Sequence, residues 1–257
     1  MLPGSGVIIT RPEAQAQVLA RMIDAAGGRA ILFPTLEITP HSPAPSSRAA
    51  FEQADIAIFI SGNAVEFGLG YANARLPASL QLAAIGKMTA QALRDQGYDA
   101  IITPEAGADS EALLASPSLQ HVSGKRFVIF RGVGGRETLR DSLCQRGAKV
   151  EYIECYQRRQ PHVSARVLGE LLQRQDIAAI HVLSRETLEN FCRIIGADCL
   201  ARFSRTPLFV PHAAVLQGAR IGAGLGPLGF SDVTVTGFGD DGVIAALQQR
   251  FGAPPQP

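Results

Sequence analysis

Hydroxyls and cations recur in this chain where apolar runs stop. Thr10 and Arg11 follow Val7-Ile8-Ile9, Ser61 follows Ile56-Ala57-Ile58-Phe59-Ile60, and Lys87 and Thr89 follow Leu82-Ala83-Ala84-Ile85-Gly86. Thr103 closes Ala100-Ile101-Ile102, Arg131 and Gly132 close Phe127-Val128-Ile129-Phe130, and Ser184 and Arg185 close Ile180-His181-Val182-Leu183. His212 comes after Leu208-Phe209-Val210-Pro211. The set is rich in hydroxyls, backbone amides and scattered cations and poor in carboxylates, which suits a large anion. Tyr156 differs in kind: an aromatic hydroxyl that can donate a proton.

Each of these residues also has a structural reading. Thr10, Ser61 and Ser184 are ordinary helix N-caps, and Arg11 and Arg131 either brace strand-end loops or reach a ligand. A buried tyrosine needs a hydroxyl partner whether or not it is catalytic, and a lone histidine such as His212 is usually structural or solvated. Gly132-Val133-Gly134-Gly135 looks like a phosphate loop, but GxGxxG needs glycine where Glu137 stands, and no GxxxxGK[ST] occurs.

The elements that position these residues are set out by an internal repeat. One ungapped offset of 120 residues pairs Arg11 with Arg131, Leu19 with Leu139, Ile23 with Leu143 and Gly27 with Gly147. Each copy reads as a strand, a turn, an amphipathic helix ended by glycine, and a second strand. In the first copy Thr10-Arg11-Pro12-Glu13 reads as a capping box with proline early in the helix. A second pair matches Asp55 to Ser61 with Asp176 to Ser184, both apolar strands that run into a serine before a helix. A third matches Leu82-Ala83-Ala84-Ile85-Gly86 and the strand to Thr103 with Leu208 to Pro211 and Gly229 to Thr236. Gly107-Ala108-Asp109-Ser110-Glu111 and Gly239-Asp240-Asp241 close the halves as glycine-acidic helix starts.

Strands alternating with helices at this pitch predict α/β architecture, with two similar domains, each a parallel sheet flanked by helices in the flavodoxin-like manner. The copy of the opening unit comes after the first acidic turn and before the second serine strand. Residues 1–37 are therefore expected to close one domain with residues 162–257, and residues 38–161 to form the other, with an active-site cleft between them. Thr35 to Pro40 and Glu154 to Pro161 would join them as a two-stranded linker, being extended and bounded by proline. Residues 252–257 read as a frayed tail.

Composition narrows the function. Lys plus Arg number 24 against 23 Asp plus Glu, a formal charge of +1, so no global field draws nucleic acid or an anionic membrane surface. The cysteines show no CxxC and the histidines no HxH, HxxxH or HExxH, so no metal site is expected. No apolar run is long enough to span a bilayer, and Met1 to Gly6 has neither the basic start nor the apolar stretch of a signal peptide, so a cytoplasmic location is the expectation.

The ordered set of motifs resembles the uroporphyrinogen-III synthase family over nearly the whole length. It is carried by Thr10-Arg11-Pro12, Phe33-Pro34-x-Leu36-x-Ile38, Phe59-Ile60-Ser61-Gly62-Asn63-Ala64-Val65 and Ala84-Ile85-Gly86-x-x-Thr89-Ala90. It continues through Ser110-Glu111-x-Leu113-Leu114, Arg131-Gly132-x-Gly134-Gly135-Arg136-x-x-Leu139, the Tyr156 crossing and Leu183-Ser184-x-x-Thr187-Leu188-x-x-Phe191. The permuted two-domain layout is the layout that family has. One departure stands out: the family's Gly-x-x-Thr-Ala element, present at Gly86 to Ala90, is replaced in the other domain by Val210-Pro211-His212-Ala213-Ala214. A threonine hydroxyl is missing there, and His212 is the donor that could take its place.

The resemblance implies a cofactor-free lyase acting on hydroxymethylbilane, a linear tetrapyrrole. It closes the macrocycle, inverts ring D and eliminates water to give uroporphyrinogen III. Implied with it are a monomer and a possible transient hand-over from hydroxymethylbilane synthase. Tyr156 is then the expected catalytic residue, with Arg11, Ser61, Lys87, Thr89, Thr103, Arg131, Gly132, Ser184, Arg185 and His212 as substrate contacts. The competing reading from another class is a two-lobed module that closes on a small anion without chemistry. A dinucleotide-dependent oxidoreductase is disfavoured by the failed glycine pattern.

Overall fold

The computed structural model describes all residues except 1, 3, 74, 75, 164, 165, 174–176, 217–219, 222–224, 228, 229, 238 and 253–257. Asp176 and Gly229 of the expected strands, and most of the expected tail, lie outside the described residues. The chain opens with β1 (Gly6–Ile9), α1 (Glu13–Ala25), β2 (Arg29–Leu32) and β3 (Glu37–Pro40). There follow α2 (Ser46–Glu52), β4 (Ile56–Phe59), α3 (Gly62–Tyr71), β5 (Gln81–Ala84), α4 (Lys87–Arg94), β6 (Ile101–Ile102) and α5 (Ser110–Leu114). The copy of the opening unit is β7 (Arg126–Gly132), α6 (Thr138–Gln145) and β8 (Lys149–Arg159). The chain continues through α7 (Arg166–Gln173), β9 (Ala179–His181), α8 (Arg185–Phe203) and β10 (Leu208–Val210). It ends with β11 (Arg220–Ile221), β12 (Leu225–Pro227), β13 (Val233–Val235) and α9 (Gly239–Phe251).

Two sheets carry the fold. The first runs β2-β1-β9-β10-β13, with β1 parallel to both β2 and β9 and β10 parallel to both β9 and β13. Counted along the chain, that is the order 2-1-3-4-5 of flavodoxin-like sheets. The second runs β3-β8-β7-β4-β5-β6, with the pairs β8–β7, β7–β4, β4–β5 and β5–β6 all parallel. With the edge strand β3 set aside and β7 and β8 taken as the first two strands, the remaining order is again 2-1-3-4-5, with the third strand, β4, coming first in the chain. β11 and β12 form a separate antiparallel pair.

Contacts divide the chain into two compact units, Met1–Glu37 with Arg159–Pro257 and Ile38–Arg158. The divisions fall inside β3 and at the end of β8, and Arg159 Nε donates to Glu37 at 3.0 Å just beside them. Alternating strand residues bury opposite faces of each sheet. In the first unit Val7, Ile9, Ala179 and Phe209 pack with Leu19, Ile23, Val243 and Leu247. Ile8, Ile180, Leu208 and Val210 pack on the other side with Leu188, Phe191 and Phe203. In the second unit Ile56, Ile58, Phe127 and Ile129 meet Leu113, Leu139 and Leu143. Ala57, Phe59, Val128 and Phe130 meet Val65, Leu69 and Leu93, with the Phe59 and Phe130 rings stacked at 4.6 Å.

One local expectation changes. The α1 N-cap is Pro12, and no side chain caps that helix. The Thr10 hydroxyl instead donates to the carbonyl of His181 at 3.0 Å, because Thr10 still belongs to the buried end of the β1 layer. Helix α8 is broken at Gly196, whose φ of 72° and ψ of 172° are open to glycine and strained for other residues. Among the described residues no helix is long and apolar enough to cross a membrane.

Candidate functional site

In sheets of this order ligands bind beyond the carboxyl ends of the strands, where the strand order reverses. In the second unit that point lies between β7 and β4. The serine after β4, Ser61, is extended (φ −169°, ψ 166°) and caps α3 by accepting the Ala64 N–H at 3.0 Å. Its Oγ also lies 3.1 Å from the hydroxyl of Tyr156. Tyr156 comes from β8, where it sits in register with Gly132 at the end of β7. The tyrosine is 2 % exposed, and its ring stacks on Phe67 at 5.7 Å between centroids. Gly132 is glycine for a steric reason: a Cβ there would stand 2.7 Å from the Tyr156 ring. The Val133 N–H donates to the Tyr156 carbonyl at 2.8 Å, closing the corner. Of the expected site residues, Tyr156 thus meets both Ser61 and Gly132.

The neighbouring strand ends carry others. Gly86 caps α4, so Lys87 occupies the first helical position and stands exposed, whereas Thr89 is buried. A Cβ on Gly86 would stand 2.6 Å from the Ala108 Cβ, so this turn packs against the loop leading into α5. Thr103, just past β6, is half-buried.

Arg131 turns away from this corner. Strand alternation puts residue 131 on the face of Phe127 and Ile129, opposite to Gly132 and Phe130. There the residue is 3 % exposed, with its guanidinium 3.0 Å from Glu137, 3.7 Å from Glu154 and 4.0 Å from the centre of the Tyr152 ring. Burial, then the facing Glu137 carboxylate, pushes the Tyr152 hydroxyl up to about 12. The Tyr152 hydroxyl and Arg131 together hold Glu137 below the usual carboxylate range. A cavity of about 190 Å³ beside them is lined by Ile60, Ile85, Ser110, Arg131, Arg136 and Tyr152, among others. It lies on the sheet face away from Tyr156. Glu137, Glu154 and Tyr152 were not candidates from sequence, since only the fold brings Glu154 beside Arg131.

In the first unit the equivalent strand ends are more closed. Arg11 is buried and pairs with Asp240 in the first turn of α9 at 2.7 Å. Ser184 caps α8 in a complete capping box with Thr187. The Thr35 hydroxyl reaches the carbonyls of Thr10 at 3.2 Å and Thr187 at 3.0 Å, and Asn190 donates to the Thr35 carbonyl at 2.9 Å. Thr35 and Asn190 thus tie the strand ends to α8, a role no local pattern announces. Arg185 and His212 are both exposed. His181, on β9, is buried with neither ring nitrogen hydrogen-bonded among the described residues. Burial, reinforced by Arg11, pulls its pKa down to about 3, so it is a neutral ring inside the fold.

Exposed apolar side chains share one end of these sheets. Leu32 closes β2, Leu183 follows β9, Val235 closes β13, Met88 lies in the first turn of α4 and Val133 follows β7, and all are exposed. Isolated exposed apolar residues are ordinary, but these share the carboxyl ends of their strands.

A family model described as uroporphyrinogen-III synthase HemD matches residues 17–216. The uroporphyrinogen-III synthase of Escherichia coli K12 is 30% identical over 249 residues, 94% of this chain and 99% of its own length. That of Synechococcus elongatus is 31% identical over 270 residues, 96% of each chain. A solved mutant uroporphyrinogen III synthase of Thermus thermophilus shares the fold, with a TM-score of 0.58 at 19% identity over 96% of this chain and 98% of that one. The chain belongs to the uroporphyrinogen-III synthase family, lyases of heme biosynthesis.

Proposed function

We propose that this uroporphyrinogen-III synthase closes hydroxymethylbilane at the carboxyl-end corner built by Ser61, Gly132 and Tyr156, with the Tyr156 hydroxyl as donor to the departing hydroxymethyl oxygen. The observation that carries this reading is the 3.1 Å approach of the Tyr156 and Ser61 hydroxyls at the reversal of strand order. The pyrrole nitrogen pushes the hydroxyl out, so the enzyme needs a positioned donor and not a strong acid. Loss of water gives an azafulvene. Ring D attacks it through its substituted carbon, and the spiro intermediate fragments and recombines to uroporphyrinogen III with ring D inverted. Without an enzyme the bilane can close in the wrong sense, so much of the catalysis is orientation.

The substrate carries acetate and propionate carboxylates around apolar pyrrole rings. Exposed Lys87, half-buried Thr103 and the free N–H groups at the start of α4 are the carboxylate contacts we assign to the second unit. Thr89 lies buried in the first turn of α4, beside these contacts. Ser184, Arg185 and His212 are the corresponding contacts of the first unit, and His212 fills the place of the missing threonine. Met88, Val133, Leu183 and Val235 supply apolar surface for the rings. Arg11 and Arg131, already paired with carboxylates, brace their loops. The reading includes a monomer working in the cytoplasm, with hand-over of the unstable bilane from the synthase that makes it.

Tyr156→Phe tests the assignment, because it keeps the ring and deletes only the hydroxyl. With enzymatically generated hydroxymethylbilane and separation of uroporphyrins I and III, kcat is expected to fall at least about tenfold at nearly unchanged Tm. Turnover at the wild-type rate, or loss only in step with unfolding, would remove Tyr156 from the chemistry.

A further inference from the structure

We propose that Ser61 is the positioning residue for Tyr156: its hydroxyl donates to the Tyr156 oxygen, which leaves the phenol proton free for the substrate. This rests on the reading that Tyr156 is the donor to the leaving oxygen.

A serine hydroxyl has one proton and two lone pairs. At Ser61 one lone pair takes the Ala64 N–H at 3.0 Å, and the described contact that remains is Tyr156 at 3.1 Å. A phenol oxygen can accept one hydrogen bond while donating another. Once the Tyr156 proton points at the substrate oxygen, Ser61 has only its own proton to offer. The bonds then run in series, Ser61 O–H to Tyr156 O and Tyr156 O–H to the leaving oxygen.

The same order helps the proton move. As the carbon–oxygen bond breaks, the Tyr156 proton passes to the departing oxygen, which leaves as water, and the pyrrole nitrogen shares the positive charge left on carbon. The phenolate so formed is stabilised by the Ser61 proton, a charge-assisted bond roughly twice as strong as a neutral one. The proton released when the closing pyrrole regains aromaticity restores the phenol. Ser61 is well held for this, since the cap that starts α3 fixes its oxygen, and Phe67 and Gly132 fix the ring it addresses. The helix cap and the hydrogen-bonded corner are thus one residue with two duties.

The duties separate by substitution. Glycine is nearly as well tolerated at an N-cap as serine, so Ser61→Gly keeps α3 while losing the hydroxyl. The expected result is a roughly tenfold lower kcat, with KM within about twofold and Tm almost unchanged. Ser61→Thr, which restores cap and hydroxyl, is expected to recover most of the rate. In a Tyr156→Phe background Ser61→Gly is expected to cost nothing more, because the oxygen it serves is gone. Wild-type turnover by Tyr156→Phe would overturn the assignment of Tyr156 itself. A deficient Tyr156→Phe beside a fully active Ser61→Gly, a Thr variant that rescues nothing, or full additivity in the double variant would each overturn the role of Ser61 alone.

Discussion

Arg11 and Asp240 meet at 2.7 Å although 229 positions separate them in the chain. The contact ties the turn after β1 to the first turn of α9, and the arginine side chain is only 9% exposed against 23% for the aspartate. Removing either partner leaves the other charge partly buried without its counter-ion. Arg11→Ala is therefore expected to lower stability by roughly 1–3 kcal/mol in urea unfolding, with the change in KM following that loss. Lys87→Ala, at an exposed first-turn position, is expected to leave the unfolding midpoint in place and raise KM a few-fold. An Arg11→Ala protein of wild-type stability with a large KM would return Arg11 to the list of substrate contacts.

Gly132→Ala asks how closely the Tyr156 ring must be placed. The added methyl would stand 2.7 Å from the ring, so the ring must shift. Because proton donation depends on sub-ångström placement, kcat is expected to fall about tenfold or more while the protein stays folded. A crystal structure of the variant with the ring unmoved and turnover intact would contradict this.

How far such relationships could be read beforehand depended on whether they are local. The strand-helix-strand repeat, the caps at Ser61 and Ser184 and the strands that feed them follow from spacing within about ten residues, and they stand in the fold. Thr10 broke the local rule because a distant carbonyl, that of His181, was a better partner for its hydroxyl than the start of α1. Arg131 stands at a strand end like Arg11, its repeat partner, and which face of the sheet it takes is set by strand alternation that places it with Phe127 and Ile129. The Phe67 stack and the Arg11–Asp240 pair depend on which strands become neighbours, and no short pattern encodes that.

His181 makes stability depend on pH. An unfolded histidine titrates near 6.5, whereas burial holds this one near 3. Between those values the unfolded chain takes up a proton that the folded chain refuses, so stability rises with pH across that window and is lost as pH falls. The slope from this one group approaches about 1.4 kcal/mol per pH unit. Urea unfolding of wild type and His181→Leu at pH 7, 6 and 5 measures it. The wild type is expected to weaken more steeply, and equal slopes would mean that the ring is protonated inside the fold.

The permuted strand order also sets a timetable for chain synthesis. Val7 of β1 pairs with Ala30 close by but also with Ala179, which leaves the ribosome long afterwards. Every strand of the second sheet from β4 to β8, by contrast, lies within one continuous stretch. That unit has all its partners in hand first, while β1, α1 and β2 wait with one apolar edge unmatched. Loop closure grows costlier only slowly with length, so the delay weighs little on final stability. It weighs on the interval before β9 arrives, when an unpaired parallel edge is most open to wrong partners. Destabilising changes at the β1–β9 junction should therefore show themselves first as low yield of folded protein during expression, ahead of any defect in the molecules that do complete the sheet.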